Sequence, residues 1–132
     1  GASLVALAHI ARPEDLPRLA AFIDVKNMPR EYYYEVHTLL GSIASAYGAE
    51  AIPYVQRIIE GTDDLSLRDG AGSFLVSVDL PEAWAFIATA IENDAAYKAD
   101  LMRHIGALYP GANATQASML ALAKRRAAAV KP

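Results

Sequence analysis

The chain has 132 residues, of which 54% are hydrophobic, with no cysteine and a formal net charge of −3. This length suits one domain with its own core, and the lack of cysteine excludes disulfides and thiolate chemistry. The acidic balance argues against nucleic acid as the main partner. No apolar run approaches the roughly 20 residues that span a bilayer.

Alanine is the most informative component of the composition. It occurs 27 times, whereas aromatic residues make up 8% of the chain. Abundant alanine favours helix and lets helices pack closely, while a β-sandwich or barrel would contain more Val, Ile and Thr. We therefore predict an all-α protein.

Periodic apolar residues, separated by turn residues, predict helices along the whole chain. In chain order the predicted helices are 3–11, 13–24, 30–47, 49–60, 65–78, 80–92, 95–109 and 113–129.

Two kinds of helix alternate in this pattern. The first kind, here called A, opens on an apolar residue and a proline, as in Leu16-Pro17, Ile52-Pro53 and Leu80-Pro81. Proline is tolerated in the first turn of a helix, where its missing N–H would have no partner. The last A helix has Thr115 instead, a typical capping residue.

The second kind, called B, carries a small residue at a fixed place. These residues are Ala8, Gly41, Gly72 and Gly106, with spacings of 33, 31 and 34. A period in this range indicates a stacked array of helix pairs.

The segments LAHIARPEDLP, LGSIASAYGAEAIP and AGSFLVSVDLP carry this repeat, and they resemble short HEAT repeats of the phycobilisome-lyase-like group. The resemblance implies a right-handed α-solenoid of antiparallel helix pairs, with about three repeats and a half-repeat at each end. It also implies a non-catalytic scaffold that binds a protein or peptide, although some HEAT proteins are enzymes. We expect one domain over residues 1–132. Because Leu4-Val5-Ala6-Leu7 has no polar cap, we expect it to be either a piece of a longer array or an array whose ends pack on something else.

The third predicted helix carries the first candidate contacts. Tyr32 shares the core stripe, so Tyr33 and Tyr34 flank it, with His37 one turn further on. Such aromatic and imidazole side chains suit the anchoring of a partner. The alternative is that they cover the joint with the neighbouring repeat.

Arg68 and Met102 occupy the position of His37 in the next two B helices, and Asp64 and Lys98 occupy that of Tyr33. Equivalent positions on stacked B helices form a row on one face, which is concave in HEAT-like arrays. The mixed chemistry of this row favours a protein partner over a phosphate-rich one. A solvated, uninvolved ridge is the alternative.

Trp84, the single tryptophan, lies where other repeats have Ala20 and Gln56. The repeat therefore does not require a core residue there, and Trp84 is a further candidate contact. The alternative is a packed side chain with its polar tip at the surface.

We expect no metal or cofactor. The three histidines, His9, His37 and His104, lie in different repeats, and no carboxylate cluster accompanies them. Asp63-Asp64 and Glu92-Asn93-Asp94 are interpreted as helix caps. The lack of a signal-peptide pattern favours the cytoplasm over export, although Gly1-Ala2-Ser3 resembles a tag remnant and the native start is expected to be missing.

Two other functions remain open. A HEAT-scaffold enzyme of the bilin-lyase or nucleobase-excising type would need a carboxylate beside Trp84 or the tyrosines, and the repeat positions predict none there. A nucleic-acid binder would use the basic end formed by Lys124, Arg125, Arg126 and Lys131. The ordinary reading of those cations is that they complement a helix dipole.

Overall fold

The computed structural model describes residues 48–112 and 115–129, and this part of the chain is all-helical. It contains five α-helices and no strand. The helices are α1 (Ile52–Gly61), α2 (Leu65–Ser77), α3 (Pro81–Glu92), α4 (Lys98–Leu108) and α5 (Gln116–Ala127). Short 3-10 helices at Gly48–Ala51 and Pro110–Ala112 precede α1 and α5. The prediction of an all-α protein is confirmed for these residues.

The helix starts follow the sequence signals. Pro53 and Pro81 lie in the first turns of α1 and α3, and the Asp64 side chain accepts a hydrogen bond from Leu67 N at 2.9 Å at the start of α2. Thr115 and Ser118 form a reciprocal capping box on α5. These caps satisfy backbone N–H groups that have no partner inside their helices. The predicted helix ends agree with the observed ones to within a few residues.

Three pairs of helices account for most of the packing. The most extensive contact joins the A helices α3 and α5, and the next joins the B helices α2 and α4 and the consecutive pair α1 and α2. The apolar faces meet in one core. Its largest fully buried side chains are Trp84, Ile59, Leu67, Leu75, Ile87, Ile91, Leu101, Ile105, Val55 and Val76.

Gly72 marks the close approach of α2 to α4. A Cβ atom placed on Gly72 would lie 3.4 Å from His104 Cδ2 and 3.7 Å from a methyl carbon of Leu101. The fixed small residue of the B helices is therefore explained, at this position, by helix packing rather than by a phosphate-binding loop.

Two aspartates turn the chain between helices. Asp79 (φ 51°) lies between α2 and α3, and Asp94 (φ 55°) between α3 and α4. Both occupy the left-handed region, which aspartate tolerates better than most residues. In the second turn, Tyr97 stacks on Phe86 with ring centroids 5.7 Å apart.

Candidate functional site

Three of the predicted contact residues lie outside the described residues. They are Tyr33, Tyr34 and His37, all in the predicted helix 30–47. Their proposed contact with a partner remains a prediction. The remaining candidates are Arg68, Met102 and Trp84.

Arg68 has structural partners in the α1–α2 turn. Its Nε donates a hydrogen bond to the Thr62 carbonyl at 3.2 Å, and its terminal nitrogen lies 3.8 Å from an Asp63 carboxylate oxygen. The side chain is only 18% exposed. Positions three, four and seven residues later (Ala71, Gly72 and Leu75) are all buried, so Arg68 lies on the inward side of α2.

Met102 and Lys98 also have neighbours within the chain. Met102 is partly buried and packs against the core. Lys98 forms an ion pair with Asp94 and donates a hydrogen bond to Gln116 Oε1 at 3.2 Å. The described members Arg68, Lys98 and Met102 of the predicted row are therefore half-buried, with partners inside the chain.

Apart from Leu65 at the start of α2 and Leu108 at the end of α4, which are 72% and 51% exposed, the exposed surface of the two B helices is made mainly of short side chains. It includes Ser66, Asp69, Gly70, Ser73 and Ser77 from α2 and Ala99, Arg103 and Ala107 from α4. We call this set the outer B face. Helical spacings of three and four residues place each group on one side of its helix. Arg103 is the one long side chain of the set.

Asp69 and Arg103 join the two halves of the outer B face. Arg103 donates hydrogen bonds to Asp69 Oδ1 at 2.7 Å and to Asp100 Oδ1 at 2.9 Å. The Arg103 hydrogen bond lowers the pKa of Asp69 below its ordinary value, and the charge interactions with His104 and Arg103 act in the same direction. The same contacts raise the pKa of Arg103, with the Asp69 hydrogen bond as the largest cause.

His104 adds a second link between α2 and α4. Its Nε2 lies 3.0 Å from Asp69 Oδ1 and 3.1 Å from the Asp69 carbonyl oxygen. Because both oxygens are acceptors, Nε2 carries a hydrogen and donates it to them. Asp69, Arg103 and His104 therefore clamp the B helices together at the surface.

Trp84 is fully buried, which corrects its assignment as an exposed contact. Its relative exposure is 0%, because it lies on the same side of α3 as buried Ile87, Ala88 and Ile91. The indole Nε1 donates a hydrogen bond to Asp79 Oδ1 at 2.7 Å. The alternative of a packed indole is the correct one, and its polar tip meets a carboxylate.

Asp79 is the residue that sequence reasoning missed. The repeat positions predicted no carboxylate beside Trp84, yet Asp79 lies there because its left-handed φ of 51° turns the chain back before α3. The only sequence signal for this contact was the short distance along the chain between Asp79 and Trp84, with Pro81 between them. Its geometry depends on a backbone conformation that periodicity does not reveal.

Arg126 completes a cluster around Trp84. One terminal nitrogen of Arg126 donates to both Asp79 oxygens, at 2.9 and 3.0 Å. The guanidinium carbon lies 4.6 Å from the centroid of Tyr109 and 5.9 Å from that of Trp84. The two rings meet edge to face, with centroids 5.9 Å apart. We call Asp79, Trp84 and Tyr109 the Trp84 cradle.

The basic end is partly neutralised within the chain. Lys124 forms an ion pair with Glu92 at 2.7 Å, and Arg126 forms one with Asp79. Arg125 is exposed on the same turn of α5, while Lys131 lies outside the described residues.

Within residues 48–112 and 115–129, no group of three or more His, Asp or Glu side chains is arranged to hold a metal ion. None of the described helices combines the length and apolar character needed to cross a membrane.

Comparison with protein-family models, with curated proteins and with solved structures finds no match to this chain.

Proposed function

We propose that this chain is a HEAT-like α-solenoid that acts as a non-catalytic scaffold and binds a protein or peptide through its B helices. The observation that carries the proposal is the outer B face, a set of mainly short side chains on α2 and α4 whose two halves are joined by the Asp69–Arg103 hydrogen bond. The packing of α3 on α5 and of α2 on α4 supports the solenoid arrangement, since stacked repeats bring equivalent helices side by side.

The short side chains favour a partner whose own backbone or helix approaches closely. Ser66, Gly70 and Ser73 follow one another along α2, and Ala99 and Ala107 flank Arg103 on α4. Little side-chain entropy is lost when such residues are covered. Arg103 supplies a planar donor group, and partly exposed Met102 supplies an adaptable apolar edge.

The charges of the surface favour a protein over a nucleic acid. Arg103 is paired with Asp69 and Asp100, and Arg68 with the Asp63 carboxylate. Mixed charges of this kind lack the sustained positive potential that phosphate backbones require. The pairing of Lys124 and Arg126 reduces the free cations at the other candidate surface.

One observation favours an enzyme as the second candidate. Asp79 provides the carboxylate beside Trp84 that an active site at this tryptophan would need. In the present arrangement both Asp79 oxygens contact Arg126. Acid–base chemistry by Asp79 would therefore require that Arg126 first move away.

Replacing each of two exposed alanines by arginine tests the scaffold proposal. Ala99 on α4 and Ala85 on α3 are both exposed helical residues, one on the outer B face and one on an A helix. Ala99→Arg should block a partner on the outer B face, whereas Ala85→Arg should not. Pull-downs from the source organism's lysate would compare both variants with the unaltered chain.

The expected result is a protein retained by the unaltered chain and by Ala85→Arg but lost from Ala99→Arg. Circular dichroism would show that both variants keep their helical content. Equal retention by all three chains would contradict binding through the outer B face.

A further inference from the structure

The Trp84 cradle has the composition of a site for a guanidinium group. It presents one carboxylate and two aromatic rings that meet at an interplanar angle of 65°. Aromatic faces attract cations within about 6 Å of the ring centroid, and a carboxylate adds charge-assisted hydrogen bonds. The guanidinium of Arg126 makes all of these contacts at once.

The three residues of the cradle also have contacts that do not involve Arg126. Asp79 Oδ1 accepts the Trp84 indole N–H at 2.7 Å, which orients the carboxylate. Trp84 itself is fixed in the core, with 0% exposure, and Tyr109 packs against the same core. A site whose groups are already oriented loses little freedom when a ligand binds.

Arg126, by contrast, is attached in a way that allows exchange. It lies in the last turn of α5, which ends at Ala127, and helix ends fray at little cost. Its side chain is 37% exposed and that of Asp79 is 45% exposed. Exposed ion pairs of this type contribute little net stability.

We propose that the Trp84 cradle is a binding site for an arginine side chain of a peptide partner, and that Arg126 occupies it in the free protein. Binding requires Arg126 to leave and the partner's guanidinium to take its place against Asp79 and Tyr109. A guanidinium suits the site better than an ammonium because its carbon lies over the Tyr109 ring while its N–H groups reach the carboxylate. The site lies outside the outer B face, so this proposal can be correct or wrong independently of the scaffold proposal.

The single tryptophan makes the proposal directly measurable. The chain has one Trp, so a ¹H–¹⁵N spectrum contains one indole signal, from the N–H that Asp79 accepts. N-acetyl-arginine amide would be titrated into the unaltered chain, Arg126→Ala and Arg125→Ala. N-acetyl-glutamine amide serves as the neutral comparison, and circular dichroism checks the helical content.

In Arg126→Ala we expect a saturable shift of the indole signal with the arginine amide and none with the glutamine amide. The apparent affinity should be about tenfold higher than in the unaltered chain, because the competing ion pair and cation–π contact are gone. Arg125→Ala removes an equivalent charge from the same turn and should behave like the unaltered chain.

An indole signal in folded Arg126→Ala that responds equally to the arginine and glutamine amides would overturn the proposal. If Arg126→Ala does not fold, the unaltered chain decides the question. A saturable shift that Tyr109→Leu abolishes would support the site, and the absence of any saturable shift would contradict it.

Discussion

Trp84 and Asp79 are linked by a 2.7 Å hydrogen bond between a fully buried indole and a carboxylate that reaches the surface. The contact depends on the left-handed backbone of Asp79, with φ of 51°. The same residue therefore has two separable roles, one in the backbone turn and one as an acceptor.

Substitutions at Asp79 separate these roles. Asp79→Gly and Asp79→Ala both remove the acceptor of the indole N–H, at a cost of about 1 kcal/mol in the free energy of unfolding. Alanine is strained at positive φ whereas glycine is not, so Asp79→Ala should be roughly 1 kcal/mol less stable than Asp79→Gly. Urea unfolding measures the difference, and equal stabilities would show that the turn is not held in this conformation.

Gly72 should accept alanine but not a larger residue. The added Cβ of Gly72→Ala would make ordinary contacts with His104 and Leu101 at 3.4 and 3.7 Å, and alanine favours helix over glycine by up to about 1 kcal/mol. We expect Gly72→Ala to unfold at an equal or higher urea concentration.

Gly72→Leu is the matched test of the close packing between α2 and α4. Its additional carbons have no space beside His104, so we expect a loss of about 1–3 kcal/mol from overpacking. A Gly72→Leu variant as stable as Gly72→Ala would mean that the two B helices do not approach this closely.

Asp69 should make stability depend on pH in the acidic range. Its pKa in the folded protein is lowered, first of all by the Arg103 hydrogen bond, from an ordinary value of 3.8. The unfolded chain then binds more protons in this range, so the stabilisation by Asp69 is present above pH 3.8 and disappears as pH falls through the lower folded-state pKa.

Asp69→Asn tests this dependence. The pair is largely exposed, so the loss at neutral pH should be about 0.5 kcal/mol. The stability difference between the unaltered chain and Asp69→Asn should shrink as pH falls below 3.8. Asp63→Asn changes a fully exposed carboxylate whose contact with Arg68 is longer, at 3.8 Å, and is the control. A difference for Asp69→Asn that stays constant with pH would contradict the Asp69–Arg103 contact.

Local signals predicted the described helices well. Pro53 and Pro81 mark helix starts, and Asp64 and Thr115 act as caps, because each effect involves residues a few positions apart. Short-range hydrogen bonds and backbone geometry depend on neighbouring residues, so they can be predicted from the sequence alone.

The candidate site was less predictable because its contacts join distant parts of the chain. Arg126 and Asp79 are 47 positions apart, and their pairing depends on how α5 packs on α3. The position of Arg68 was misleading for a related reason. Its place in the repeat suggested the exposed row, whereas its side chain turns inward to the Thr62 carbonyl. The partner contacts of Tyr33, Tyr34 and His37 remain predictions.

The most direct test of the scaffold proposal is the affinity of the captured partner, measured by calorimetry for the unaltered chain, Ala99→Arg and Ala85→Arg. Binding through the outer B face predicts at least about tenfold weaker binding for Ala99→Arg, because the added side chain would block contacts worth more than about 1.4 kcal/mol. Ala85→Arg should bind as the unaltered chain does. Equal affinities for the two variants, or weaker binding for Ala85→Arg alone, would contradict the assignment of the outer B face as the binding surface.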